Sequence, residues 1–322
     1  MSTVIGRSNP GDIPTEETPP VDPTQRTDVD FPTAATSTER GAFTTYTGQD
    51  IDTRSVAEQR SSQALFRSLP LAVFAVFIGL WYFLSFWGLK HLFHKPQFLL
   101  PPPHSVISES ITNADVRKQL VAATVLSVRV AFIGLVVAIA LGLLLAILMS
   151  QATWIERSLF PYLVALQAVP ILAFVPLLAV FFGFNFKARV IVCIIISLFP
   201  IVSNTLFGLL SADQGLHDLF TLRKASRWTR LTKLQFPAAL PAMFAGLKIA
   251  AGLSVIGSVV GDTFFRQGQP GIGILIDNFR SRLQNEAMYG AVLIAAFIGI
   301  IVFVFFTWLS EKTVGHWYES TR

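Results

Sequence analysis

Three clusters in this chain carry residue types at spacings that can do chemistry. His91 and His94 stand three positions apart with His104 nearby, a pattern able to hold a metal. No carboxylate accompanies them at ligand spacing, and Trp87, Phe93 and Lys95 around them read as a membrane-interface belt, so no metal is expected. The run from Gly252 to Gly257 opens like a phosphate-binding loop, but Ser258 stands where that loop needs lysine. Gly257 and Gly261 instead make a small-residue face for close packing between helices. The third cluster is a polar island from Asp213 to Pro241, DQGLHDLFTLRKASRWTRLTKLQFPAALP, between two strongly apolar segments. Its chemistry is that of a docking surface, not of a reaction centre.

Two short helices are predicted in the island, His217 to Arg223 and Arg227 to Leu234. In the second, Trp228, Leu231 and Leu234 recur at three-residue spacing as an apolar stripe beside Arg227, Arg230 and Lys233. Ser226 is placed to cap the first turn, since its hydroxyl can accept from a backbone amide there. Pro237 is expected to stop the helix and to restrict Phe236 before it. Such an amphipathic segment suits a groove on a partner. It equally suits a membrane surface, where its cations would meet anionic headgroups. Patterning alone leaves both readings open.

The elements that must position the island are membrane spans. Hydrophobic residues make up 52% of the chain and charged residues 14%, against about 25% charged in a soluble domain. Six apolar runs are long enough to cross a bilayer: Leu71–Leu89, Val128–Met149, Leu159–Phe182, Val190–Leu210, Met243–Phe265 and Ala287–Leu309. Open backbone cannot face lipid, so each is read as a helix and the fold as an all-α bundle of six spans. Pro161, Pro170 and Pro176 predict that the third span is kinked and packed inside the bundle. Pro101, Pro102 and Pro103 force an extended turn, after which Ser108 to Val121 is expected as a short interfacial helix. Met1 to about Arg60 is rich in Pro, Thr, Ser and acids and is read as a disordered tail, leaving residues 61–322 as the membrane domain. The first apolar stretch starts near Leu71, so the first span is expected to act as an uncleaved insertion signal.

A net charge of +5 would fit a nucleic acid only if the cations lined one face, and they are dispersed over short loops. Cys193 is the sole cysteine, which excludes an intrachain disulfide and a cysteine zinc cluster. An even number of spans puts both termini on one side, and the cation density of Arg223–Lys233 assigns that side to the cytoplasm. Within the spans, Arg129 and Lys248 are expected to snorkel to headgroups. Asp262 either pairs locally with Arg266 or serves a function. Gln167, Ser203, Asn204, Ser254 and Ser258 either hydrogen-bond between helices or line a solute path, with Gln167 and Asn204 the path candidates. The run from Gly268 to Gly273 reads as a flexible turn. No paired carboxylate or Ser/His/Asp set occupies the polar segments, so neither catalysis nor a cofactor is expected in this chain. A carrier driven by an ion gradient is the competing reading, but it calls for mid-membrane titratable groups and internal repeats.

A further set of residues carries a resemblance. Asp218-Leu219-Phe220, Ala225-Ser226-Arg227-Trp228 and Leu234-Gln235-Phe236-Pro237 line the island, followed by Pro241. Pro161, Gln167, Val169, Pro170, Pro176 and Gly183 mark the third span, and Phe199, Pro200, Asn204, Thr205 and Gly208 the fourth. From Leu100 to about Leu309 this combination resembles the inner-membrane permease subunit of binding-protein-dependent ABC importers, in the nitrate/taurine/sulfonate branch. Lys224 departs from it, standing where that family places a turn glycine.

The resemblance implies a type I importer permease in the plasma (inner) membrane with both termini cytoplasmic. It implies a homodimer, a separate ABC ATPase subunit that uses the ATP, and an extracytoplasmic solute-binding protein. Loop 213–241 becomes the coupling loop, with Asp218, Leu222, Ala225, Ser226, Arg227, Trp228, Leu231, Phe236 and Pro237 as ATPase-coupling residues. Trp228, Leu231 and Asp218 are expected to carry most of the coupling.

Overall fold

The structure, a computed structural model, describes residues 56–92 and 94–318. Phe93 and nearly all of the expected tail lie outside the described residues, and the first helix already begins at Val56, inside the segment assigned to the tail. This helix, α1 (Val56–Phe83), continues through a π turn at Leu84–Gly88 to His91, and its Leu69–His91 portion is long and apolar enough to cross a membrane. Trp81 and Ser85 tie it to the proline-rich connection by donating to the carbonyls of Pro101 and Leu100 at 3.1 and 2.7 Å.

Next come α2 (Pro103–Thr112) and α3 (Ala114–Gln151), separated only at Asn113. The Asn113 side chain accepts from the amides of Asp115 and Val116, so it starts α3 as a cap. The second span is therefore much longer than predicted. The expected helix Ser108–Val121 is divided between α2 and the first turns of α3.

The third predicted span is two helices. Helix α4 (Thr153–Ala168) meets α5 (Ile171–Phe182) at 99°. Pro170 supplies no amide and pushes Val169 into extended backbone, which ends α4 and re-aims the chain. A kink was expected here, with the helix inside the bundle; the observed break is sharper. Among the residues of the pair, only Leu163, Val175 and Leu178 are buried. Helix α6 (Phe186–Leu210) then crosses, followed by α7 (Gln214–Leu222), α8 (Arg227–Phe264), α9 (Ile272–Ser281) and α10 (Asn285–Tyr318).

The bundle is organised around α3, α6 and α8, which pack along one another's lengths. With lipid no less apolar than leucine, close approach and interhelical hydrogen bonds must hold such helices together. Both occur. A Cβ at Gly246 would come within 2.7 Å of the Pro200 carbonyl oxygen, and one at Gly257 within 3.1 Å of the Cys193 Cα. Ser254 donates to the carbonyl of Ala131 at 2.6 Å, and Ser197 to that of Ala250 at 3.1 Å. Interhelical bonding thus accounts for Ser254. Helices α1 and α10 flank this core with long exposed apolar faces, including Phe74, Phe77, Phe297 and Phe303.

Candidate functional site

The island forms one end of the bundle. Asp213 caps α7 by accepting from the amides of Gly215 and Leu216 at 2.7 and 3.2 Å. At its other end α7 closes with crossed backbone bonds: Ala225 donates to the Phe220 carbonyl at 3.0 Å, and Lys224 to that of Thr221 at 2.9 Å. This ending needs left-handed backbone at the residue after the cap, a position that favours glycine. Lys224 holds it with φ at 52°. The conformation is retained although the expected glycine is replaced, at a steric cost of roughly 1–2 kcal/mol.

Ser226 caps the next helix as predicted, accepting from the Thr229 amide at 3.1 Å. Arg230 reaches back to the Thr221 hydroxyl at 2.9 Å, tying the two helices together.

Pro237 does not stop this helix. A π turn at Leu231–Gln235 precedes it, and α8 runs unbroken from Arg227 to Phe264. The extra residue in a π turn displaces the carbonyl that the proline ring would otherwise strike, so the chain absorbs proline without breaking.

That continuation divides the predicted stripe. Trp228 is 71% exposed and Leu222 82%, whereas Leu231 is only 4% exposed. Leu231 packs with Met149 of α3 and Leu206 and Leu209 of α6. Three residues along a helix turn it through about 300°, so such a stripe drifts away from its own first member. Leu231 is thus a core residue in this structure and not a surface anchor. Of the other coupling candidates, Asp218, Ser226 and Arg227 are exposed, and Ala225, Phe236 and Pro237 are half-buried. The outward ridge is Leu216, Leu219 and Leu222 with Trp228, flanked by Asp218, Arg223, Lys224 and Arg227.

The two path candidates have different surroundings. Gln167 lies exposed at the α4–α5 break, lining a pocket with Pro170, Ile195 and Leu253. Asn204 donates to the Pro200 carbonyl at 2.8 Å and packs against Gly246, between α6 and α8. His91 sits against the Trp87 carbonyl and His104 against the Tyr82 hydroxyl, each at 3.1 Å.

At the opposite end of the bundle lies a centre that sequence reasoning missed. Arg189 and Asp262 are fully buried and paired at 3.1 Å, from α6 to α8. Asp262 was expected to pair locally with Arg266 or to serve a function; Arg266 instead pairs with Asp277 of α9. The hydrogen bond from Arg266, reinforced by the charges of Arg266 and Arg280, holds the Asp277 carboxyl below the usual carboxylate range. The run Gly268 to Gly273 is no free turn. Arg189 donates to the carbonyls of Phe265, Gln267 and Gln269 at 2.8–3.0 Å, and a Cβ at Gly271 would fall on the Asp262 carboxylate. Arginine and aspartate within apolar flanks were the available signal, but the partners stand 73 positions apart.

Residues 138–314 match the family of binding-protein-dependent transport system inner membrane components. The chain belongs to this family. A probable ABC transporter permease protein of Haemophilus influenzae is 30% identical over 76% of this chain and 96% of its own length. The formylaminopyrimidine transport permease protein of Halalkalibacterium halodurans is 29% identical, over 67% of this chain and 85% of its own. The nitrate import permease protein of Leptolyngbya laminosa is 26% identical, over 77% and 88%. The chain is therefore a multi-pass membrane permease of an ABC import system, which works with an ATPase and a solute-binding protein. A gradient-driven carrier finds no support among these permease relatives.

Proposed function

We propose that this permease forms, as a homodimer, the path by which a small polar solute enters the cell after delivery by an extracytoplasmic binding protein. The ridge Leu222 and Trp228, with Asp218 beside it, seats in a cleft of the ATPase subunit. One observation carries the assignment: two capped helices, tied by Arg230 and Thr221, hold large apolar side chains in the open at the end of a membrane bundle. Tryptophan is among the residues enriched at interface hot spots, and Trp228 stands exposed on a capped helix. Relatives named for nitrate and formylaminopyrimidine support a small polar cargo.

Residues 61–322 make up the permease domain, and residues 1–60 a separate tail. Both termini lie on the ridge's side, the cytoplasm, at the plasma (inner) membrane. The chain contributes no catalytic residue and no cofactor; ATP is bound and hydrolysed by its partner. The exposed α4–α5 break, with Gln167 at its corner, faces the second copy, and Gln167 and Asn204 contact the solute.

The test is mass spectrometry of proteins recovered with the tagged permease from gently solubilised native membranes. An ATPase subunit is expected with the wild type, and Trp228→Asp is expected to cut its recovery roughly tenfold or more, as removal of a hot-spot anchor does. Unchanged recovery in Trp228→Asp would remove the ridge from the ATPase contact. Uptake that persists in Gln167→Leu would remove Gln167 from the path.

A further inference from the structure

We infer that Arg189 is a positioning residue that locks the end of the permease opposite the coupling loop into one rigid body. Access at that end then opens around this body and not within it. The inference rests on the reading that an ATPase drives the loop end, and it concerns what happens about 30 Å away, the rise of α6 from Arg189 to Leu210.

One side chain from each core helix meets there: Ser127 of α3, Arg189 of α6 and Asp262 of α8. The Arg189 Nε donates to the Phe265 carbonyl, Nη1 to Asp262 and the Gln269 carbonyl, and Nη2 to the Gln267 carbonyl, all at 2.8–3.1 Å. The other Asp262 oxygen accepts from the Ser127 hydroxyl at 2.5 Å. That hydroxyl in turn accepts from the Ile272 amide, the first residue of α9, at 2.9 Å. A continuous series of hydrogen bonds thus links α6, α8, α3 and the strap 265–271 to the start of α9.

The strap can lie this close because Gly271 and Gly273 carry no Cβ; one at Gly273 would overlap the Val259 carbonyl and the Thr263 hydroxyl. Beside the node, Val116, Leu120 and Ala123 of α3 pack with Ile272, Leu275 and Phe279 of α9 in one apolar cluster. Pulling α6 away from α8 would separate the fully buried Arg189 and Asp262 and leave each charge without its partner. Only the planar fork of arginine reaches three carbonyls and a carboxylate at once. The elements therefore move together.

Hydrogen exchange of the strap amides tests this in the permease–ATPase complex, without nucleotide and trapped with ATP and vanadate. Recovery of that complex tests the proposed function separately, before any exchange is read. Protection of the hydrogen-bonded amides of Phe265, Gln267 and Ile272 is expected to agree within about twofold between the two states, since a unit that does not open keeps its local protection. Exchange about tenfold faster in the trapped complex would show that the node opens during the cycle, and would overturn the inference.

Arg189→Lys provides a second reading, because it keeps the charge for Asp262 but loses the fork. Strap exchange is expected to rise about tenfold or more with ATPase recovery unchanged, together with loss of ATP hydrolysis stimulated by the solute-binding protein. Strap protection equal to wild type in this variant would overturn the role given to Arg189.

Discussion

The two ends of the permease use polar chemistry in opposite ways. At the loop end, charges and large apolar side chains stand in the open, and Lys224 holds a backbone conformation that lysine disfavours. At the far end, an arginine and an aspartate are sealed from solvent and nearly every donor is used. Under the proposed function, the first arrangement leaves interaction energy unspent for the ATPase. The second uses it internally to fix shape. A surface meant for docking tolerates local strain because a partner's contacts can compensate, whereas a dry ion pair inside a membrane protein cannot be left half made.

Breaking the comparison at its strongest point means removing one half of the buried pair. Arg189→Met leaves Asp262 uncompensated and should destabilise the fold by about 3–5 kcal/mol. The measurement is thermal loss of the monodisperse species in detergent, and a wild-type midpoint would contradict the sealed-node description. The next effect separates neighbours on one helix. Leu231→Ala should lower stability by about 2–5 kcal/mol through the cavity it opens beside Met149 and Leu206. Trp228→Ala should leave stability within about 0.5 kcal/mol of wild type while weakening recovery of the ATPase. Equal destabilisation by both would mean that the stripe is not divided.

A smaller gain is expected at the strained turn. Lys224→Gly relieves the left-handed lysine and should stabilise the permease by about 1 kcal/mol, seen as a raised unfolding midpoint. A fall would show that the lysine side chain contributes more than its backbone costs. Smallest is a pH effect at α9. Because the folded Asp277 titrates below its unfolded value, its contribution is present above the ordinary carboxylate range and disappears as pH falls through the lowered value. The acid-side slope of stability should therefore flatten in Asp277→Asn, and an unaltered slope would assign the acid sensitivity elsewhere.

Much of this was legible in the residues. The six apolar runs correspond to five helices long enough to cross a membrane and one sharply bent pair, because lipid admits no other open-chain structure than the helix. Ser226 was recognisable as a cap, and the glycine slot at Lys224 was recognisable from the resemblance, because both requirements are local. Reading failed where the outcome depended on distant chain. Pro237 looked terminal, but a π turn precedes it, and Leu231 within that turn packs against α3 and α6. Asp262 looked close to Arg266, yet Arg189 and Ser127 reach it from other helices. The turn near Gly268 looked free because carbonyl groups carry no sequence signature of the donor that will bind them.

The sequence by itself determined that this chain lives in a membrane as helices and that residues 213–241 break its apolar pattern. Those properties follow from side-chain transfer energies and backbone geometry at each position. Only the tertiary structure decided which face of the loop looks outward, that the third span is broken at 99°, and that Arg189, Asp262 and Ser127 meet. Such choices depend on which surfaces three helices can bring together without a void or an unpaired buried charge, a condition that no single segment contains.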